Sequence, residues 1–151
     1  MMQDNLTIEQ LRAIFWAEDA KNNSGLIKSQ YDEIKRVLSE KDMVWVENQL
    51  KKLKEHAIAH VPYYAKYSIN DEFPVVNKSS LMENYNLHKA SSNYLEPTHI
   101  SSTSGSTGTP FSVIQDYKKR NRTIADLQVF GELAGYPIRE RMLFFRTLHY
   151  I

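Results

Sequence analysis

Thr98-His99-Ile100-Ser101-Ser102-Thr103-Ser104-Gly105-Ser106-Thr107-Gly108-Thr109-Pro110-Phe111-Ser112-Val113-Ile114-Gln115 is the stretch on which the reading turns. Thr98–Thr103 and Phe111–Gln115 are rich in β-formers and read as strands. Between them runs a loop of serine, threonine and glycine, closed by Pro110. Seven of the ten residues from Ser101 to Pro110 carry a hydroxyl and two are glycines. Glycine lets a backbone turn with positive φ and lets its N–H groups approach a ligand closely. Amides turned in this way form anion-binding nests, and hydroxyls add donors around phosphate oxygens. A phosphate cradle between two strands is therefore one reading. A polar hairpin connector or flexible linker is the other. Strand-like residues directly on both sides, and a specific order rather than a Gly/Ser mixture, favour the cradle. A Walker A loop is excluded, because no Gly-Lys-Ser/Thr follows at the required spacing.

Working outward towards the end of the chain, Asp116 caps a helix that reaches about Ala134. Ile124, Leu127, Phe130 and Ala134 form its expected inner face, and Gly135 its left-handed terminator. Met142-Leu143-Phe144-Phe145 reads as a buried strand. The helix and that strand look like the opening of a parallel α/β layer that needs further strands. The last residues, Arg146 to Ile151, head into a core rather than into solvent, so the expectation is a piece of something longer.

Working back towards the start, the first half reads as helices. Thr7 and Gln10 form a capping box, with Leu6 and Leu11 placed for a hydrophobic staple. Ile8, Leu11, Ile14 and Phe15 share a face, and Asn22-Asn23-Ser24-Gly25 ends the element. A second short helix is expected over Gln30–Leu38, with Tyr31, Ile34, Val37 and Leu38 inward. Asp42 caps a third, in which Met43, Val46, Leu50, Leu53, Ala57 and Val61 recur at helical spacing as a stripe expected to pack within the chain. Pro62 stops it. Tyr63-Tyr64 and Phe73-Pro74-Val75-Val76 read as extended connections that lay aromatic surface on a core. Lys78–Tyr85 holds a short helix capped by Asn77 or Ser79. This divides the chain into a helical segment (1–61), an extended connection with a short helix (62–96) and the start of an α/β subdomain (97–151), one incomplete domain in all. The fold class is α/β, or α+β for the piece at hand.

Composition narrows the function classes. With 151 residues, the chain suffices for one domain with a sizeable core. Nineteen basic against eighteen acidic side chains leave a formal charge of +1, which points to neither nucleic acid nor an anionic membrane. Cysteine is absent, which excludes disulfides, thiolate metal sites and a cysteine nucleophile. No apolar run nears the ~20 residues of a membrane helix. The opening MMQDNLTIEQ lacks signal-peptide order, so the cytoplasm is the expected address.

Thr103-Ser104-Gly105-Ser106-Thr107-Gly108-Thr109-Pro110 closely resembles the phosphate loop of the adenylate-forming superfamily, which includes acyl-CoA synthetases and phenylacetate–CoA ligases. His56-Ala57, His60-Val61-Pro62-Tyr63-Tyr64 and Phe73-Pro74-Val75-Val76-Asn77-Lys78 resemble the N-terminal signature of the phenylacetate–CoA ligase branch. That branch also holds CapK-like proteins of capsular-polysaccharide biosynthesis and coenzyme F390 synthetase-like proteins. The likeness runs from about Leu50 to Gln115. It implies a ligase that uses Mg-ATP to turn a small carboxylic acid into an acyl-adenylate, then passes the acyl group to a thiol, commonly coenzyme A. By the same likeness, Thr103, Ser104, Ser106 and Thr107 would donate hydroxyls to the β- and γ-phosphates, Gly105 and Gly108 backbone N–H, and Thr109 a further contact. Phe111 stands where many acyl-CoA synthetases carry lysine, which this branch tolerates. The motifs for adenine, ribose and the catalytic lysine are expected beyond Ile151, in the remaining C-terminal part of the same enzyme, so the chain alone is expected to be inactive. A non-catalytic helical interaction module and a degenerate truncated paralogue are the alternatives.

Other constellations read more plainly. His56 and His60 stand four apart on a helix, the spacing of a zinc pair. However, Ala57 occupies the place where a metalloprotease needs glutamate, and no third ligand is evident, so packing or surface histidines and no metal are expected. Lys118-Lys119-Arg120-Asn121-Arg122 reads as a solvated helix start with a modest electrostatic role towards ATP. Tyr63, Tyr64 and Tyr67 read as packing residues.

Overall fold

A computed structural model describes residues 6–91, 98–103, 110–136 and 138–140. The described chain is mostly helical. Six helices, α1 (Ile8–Asn23), α2 (Leu26–Glu40), α3 (Met43–His60), α4 (Lys78–Glu83), α5 (Tyr85–His88) and α6 (Tyr117–Leu133), accompany two strands, β1 (His99–Ser102) and β2 (Ser112–Gln115). The expected strand at Met142–Phe145 lies outside the described residues. The two strands are antiparallel, with His99 opposite Gln115 and Ser102 opposite Ser112. Among the described residues, helices and this two-stranded antiparallel sheet make a mixed α+β arrangement. The chain falls into two compact units, one of residues 1–35 and 121–151, the other of 36–120.

Local sequence accounts for most helix ends. Thr7 and Gln10 form the capping box that opens α1. Asn77 and Ser80 form another at α4. The Asp42 carboxylate accepts the Trp45 N–H at 2.9 Å, and Arg36 holds it at 2.8 Å. That guanidinium, with the Trp45 amide, keeps the Asp42 carboxyl below its ordinary range. Asp116 does the same work at α6, accepting the Lys119 N–H at 2.7 Å. At the far end of α6, Gly135 is left-handed with φ of 81°. The Tyr136 N–H reaches Gly131 and the Gly135 N–H reaches Glu132, which is a Schellman closure.

In the first unit α1, α2 and α6 supply the core. Ile27, Tyr31, Ile34, Ala125, Val129 and Ile138 are buried, with Phe15, Trp16 and Ile124 packed against them. Trp16 lies 5.1 Å from Tyr31, centroid to centroid. The turn between α1 and α2 rests on Asp19, which is only 2% exposed. Its carbonyl accepts the Gly25 N–H at 3.1 Å at the end of α1. Its carboxylate accepts Ile27 N–H at 3.3 Å and Lys28 N–H at 2.9 Å at the start of α2. Those two amides are orphan donors of a helix start, so a buried carboxylate there is satisfied by backbone rather than by a cation. This explains why α2 starts at Leu26 and not at Gln30: the cap comes from the preceding helix, out of reach of any local pattern.

Two expected faces are corrected. On α6 the buried positions are Asn121, Ala125 and Val129, while Leu127 is 67% and Phe130 55% exposed. The inner face is fixed by what α1 and α2 present, and small Ala125 and Val129 permit a closer approach than the larger apolar set would. On α3 the apolar stripe is not covered: Met43, Val46, Leu50 and Leu53 are all exposed. Leu38 of α2 is exposed as well.

The second unit packs aromatics after α3. Pro62–Tyr64 form a 3₁₀ turn rather than the extended connection expected, because Pro62 stands at its first position with a preset φ. Tyr64 stacks on Phe73 at 5.0 Å and 13°, and Tyr63 lies 4.0 Å from His88. These contacts bear out the packing role expected for the tyrosines. Lys54 of α3 ties the connection down, donating to the carbonyls of Ile69 at 3.1 Å and Asp71 at 2.9 Å. Its ammonium also lies over the Phe73 ring at 5.1 Å.

Candidate functional site

Within the second unit, β1 and β2 bring the two sides of the Ser/Thr/Gly motif together. The Thr103 N–H donates to the Phe111 carbonyl at 2.9 Å. The Phe111 N–H donates in return to Thr103 Oγ1 at 3.1 Å. One step further back, the hydroxyls of Ser102 and Ser112 are 2.7 Å apart. Residues 103 and 111 therefore form a polar clamp at the mouth of the hairpin. The Thr103 hydroxyl oxygen is used as an acceptor, a role compatible with donation of its own hydrogen. Its amide is spent on the clamp. Ser104, Gly105, Ser106, Thr107, Gly108 and Thr109 lie outside the described residues.

Around the clamp the second unit offers room on one side. Met82 to Leu87 line a depression of about 330 Å³. Tyr85 in that lining meets Phe111 edge-on with centroids 6.1 Å apart. Behind the hairpin, β2 runs through Asp116 into α6, whose opening Lys118, Lys119 and Arg120 are exposed. Arg122, the last of the basic run, belongs instead to the first unit. It bonds Glu33 at 2.7 Å and Asp126 at 3.3 Å. The run thus splits between a wet helix start and a structural ion pair.

A second polar cluster, unforeseen in the sequence, lies in the first unit. Tyr31 Oη donates to Glu132 at 2.5 Å, and Lys35 Nζ lies 3.1 Å from both. Burial and the Glu132 bond push the Tyr31 hydroxyl up. Burial also acts to raise Glu132, but the bonds from Tyr31 and Lys35 outweigh it and hold the carboxyl below its ordinary range. Bonds to Tyr31 and Glu132 push Lys35 up. Each shift reinforces the state the group already holds near neutral pH: Tyr31 as the neutral phenol, Glu132 as the carboxylate and Lys35 as the ammonium. None is poised to exchange a proton near pH 7, so the cluster braces α2 against α6. The i, i+4 spacing of Tyr31 and Lys35 was visible in sequence; their partner, about a hundred positions on, was not.

His56 and His60 lie on one side of α3 with ring centroids 4.7 Å apart. Among the described residues no group of three or more histidines, aspartates and glutamates is disposed to hold a metal, and no helix is long and apolar enough to cross a membrane. No protein-family model, curated protein or solved structure matches the chain.

Proposed function

We propose that this chain supplies the phosphate-binding portion of an ATP-dependent, AMP-forming ligase that activates a small carboxylic acid. The supporting observation is the Thr103–Phe111 clamp, which gathers both sides of the Ser/Thr/Gly motif at one point. In this reading Thr103, Ser104, Ser106 and Thr107 give hydroxyls, and Gly105 and Gly108 give amides, to the β- and γ-phosphates of Mg-ATP. The loop aligns pyrophosphate as leaving group while the carboxylate attacks the α-phosphorus, a contribution of position and charge rather than of covalent chemistry. The exposed Lys118 and Arg120 add positive potential near the triphosphate. Acyl transfer to coenzyme A, and the setting in the cytoplasm where both cosubstrates are abundant, belong to the same proposal.

The test is carboxylate-dependent exchange of pyrophosphate into ATP, with the chain alone and with the chain joined to the sequence that carries the adenine, ribose and lysine motifs. Exchange is expected in the joined form only. There, Ser106→Ala or Thr107→Ala is expected to slow it by about 100-fold, the usual effect of one lost donor to developing charge. Unchanged exchange in those variants overturns the loop assignment.

A second reading, an interaction module, draws on α3. Met43, Leu50 and Leu53 are each more than half exposed, an apolar stripe that suits a protein surface. In the ligase reading the same stripe is covered by the remainder of the enzyme.

A further inference from the structure

We infer that His56 and His60 form a two-imidazole chelate for a borderline divalent transition metal such as Cu²⁺, Ni²⁺ or Zn²⁺. This is independent of the ligase reading. Residues i and i+4 share one side of a helix a single turn apart, which is the arrangement that zinc-binding helices use. A metal–nitrogen bond of about 2.0–2.1 Å, plus about 1.1 Å from that nitrogen to the ring centre, puts each centroid ~3.2 Å from the ion. Two such rings lie about 4.5 Å apart at a right angle and about 5.2 Å apart at the tetrahedral angle. The observed separation is 4.7 Å, inside that window.

Two features of the scaffold add to the fit. His60 is the last residue of α3, where the helix dipole favours a cation. The His60 carbonyl is itself held by Ser91, from its N–H at 2.7 Å and its hydroxyl at 2.9 Å. The last turn is therefore pinned, and the pair need not be ordered at the moment of binding. His56 is exposed and His60 half-buried, so an ion has access. Lys52, one turn before His56, adds a like charge that limits the affinity.

With two protein donors the remaining positions fall to water or to an incoming ligand. The chelate is therefore an exchangeable site rather than a closed structural one. Neutral imidazole is the ligand, so metal and protons compete for the same ring nitrogens.

The experiment titrates the full chain with Cu²⁺, Ni²⁺ and Zn²⁺ by calorimetry, beside His56→Ala and His60→Ala. Intramolecular closure gives the second imidazole an advantage of about 100-fold at the low end. The expected result is a loss of that size in each single variant, equal in the two, with Cu²⁺ bound most tightly. In the unmodified chain, Ni²⁺ or Cu²⁺ at substoichiometric levels is expected to broaden the ring resonances of His56 and His60 before those of His88, His99 and His149. Affinity retained in either variant, or broadening led by another histidine, overturns the chelate. The NMR arm stands whether or not a variant folds.

Discussion

Replacing Asp19 by alanine tests how the first unit is held at its helical turn. The Asp19 carboxylate is almost fully enclosed and accepts two backbone N–H groups at the start of α2. Alanine removes both acceptors and leaves the Ile27 and Lys28 amides without a partner where little water can reach. An unsatisfied buried donor costs about 1–3 kcal/mol, and loss of an N-cap about 1 kcal/mol. These overlap, because one of the two bonds is the cap itself, so a total of about 2–3 kcal/mol is expected. For a chain of this size each kcal/mol shifts Tm by about 2–4 °C, so the midpoint falls by about 5–10 °C. Asparagine keeps one acceptor of the same shape and should forfeit only about half as much. Urea unfolding followed by far-ultraviolet circular dichroism gives both free energies, with m unchanged if the two variants unfold the same structure. A cost below about 0.5 kcal/mol for alanine, or equal costs for alanine and asparagine, would refute the capping role.

Two further outcomes follow from the same unit. Ile34→Ala, in the core, is expected to cost about 2–4 kcal/mol, while Leu127→Ala, on the wet side of α6, stays within about 0.5 kcal/mol; comparable losses would mean the inner face of α6 has been misassigned. The Tyr31–Lys35–Glu132 brace is expected to weaken at both pH extremes. The Glu132 carboxyl is lowered, so its contribution is present above its ordinary value of 4.5 and is lost as pH falls below that. Tyr31 and Lys35 are raised, so theirs is present below ordinary values of 10.0 and 10.5 and is lost as pH rises through the higher folded ones. Glu132→Gln should flatten the acid side of a stability-against-pH curve, and an unaltered acid limb would remove the brace from the account.

The parts legible in the sequence are those decided within one turn of helix. The Thr7–Gln10 box and the Asp42 and Asp116 caps depend on residues three apart and the Gly135 terminator on residues at most five apart, and all were readable. For α4, Asn77 was one of two caps the sequence offered, and its partner Ser80 was not foreseen. What escaped depends on distant partners. Asp19 reaches eight and nine positions forward to cap the next helix, so α2 began earlier than its own residues suggest. The inner face of α6 is chosen by α1 and α2, and Ala125 with Val129 won over the bulkier Leu127 and Phe130. The α3 stripe has helical periodicity, which says that a face exists but not what covers it. Of the candidate loop, Thr103 can be placed, with its amide committed to the clamp and its hydroxyl oxygen accepting from Phe111; the following six positions lie outside the described residues.

The bonds between Thr103 and Phe111 also isolate mechanically what is inserted between them. Both ends of positions 104–109 are fixed in space by the paired strands, so the closure entropy depends only weakly on how many residues span the gap. Doubling such a span costs about 0.6 kcal/mol. Shortening, lengthening or rewriting that span thus need not propagate into β2 or the helix behind it, and the hairpin root behaves as a socket whose insert can be exchanged while its frame stands.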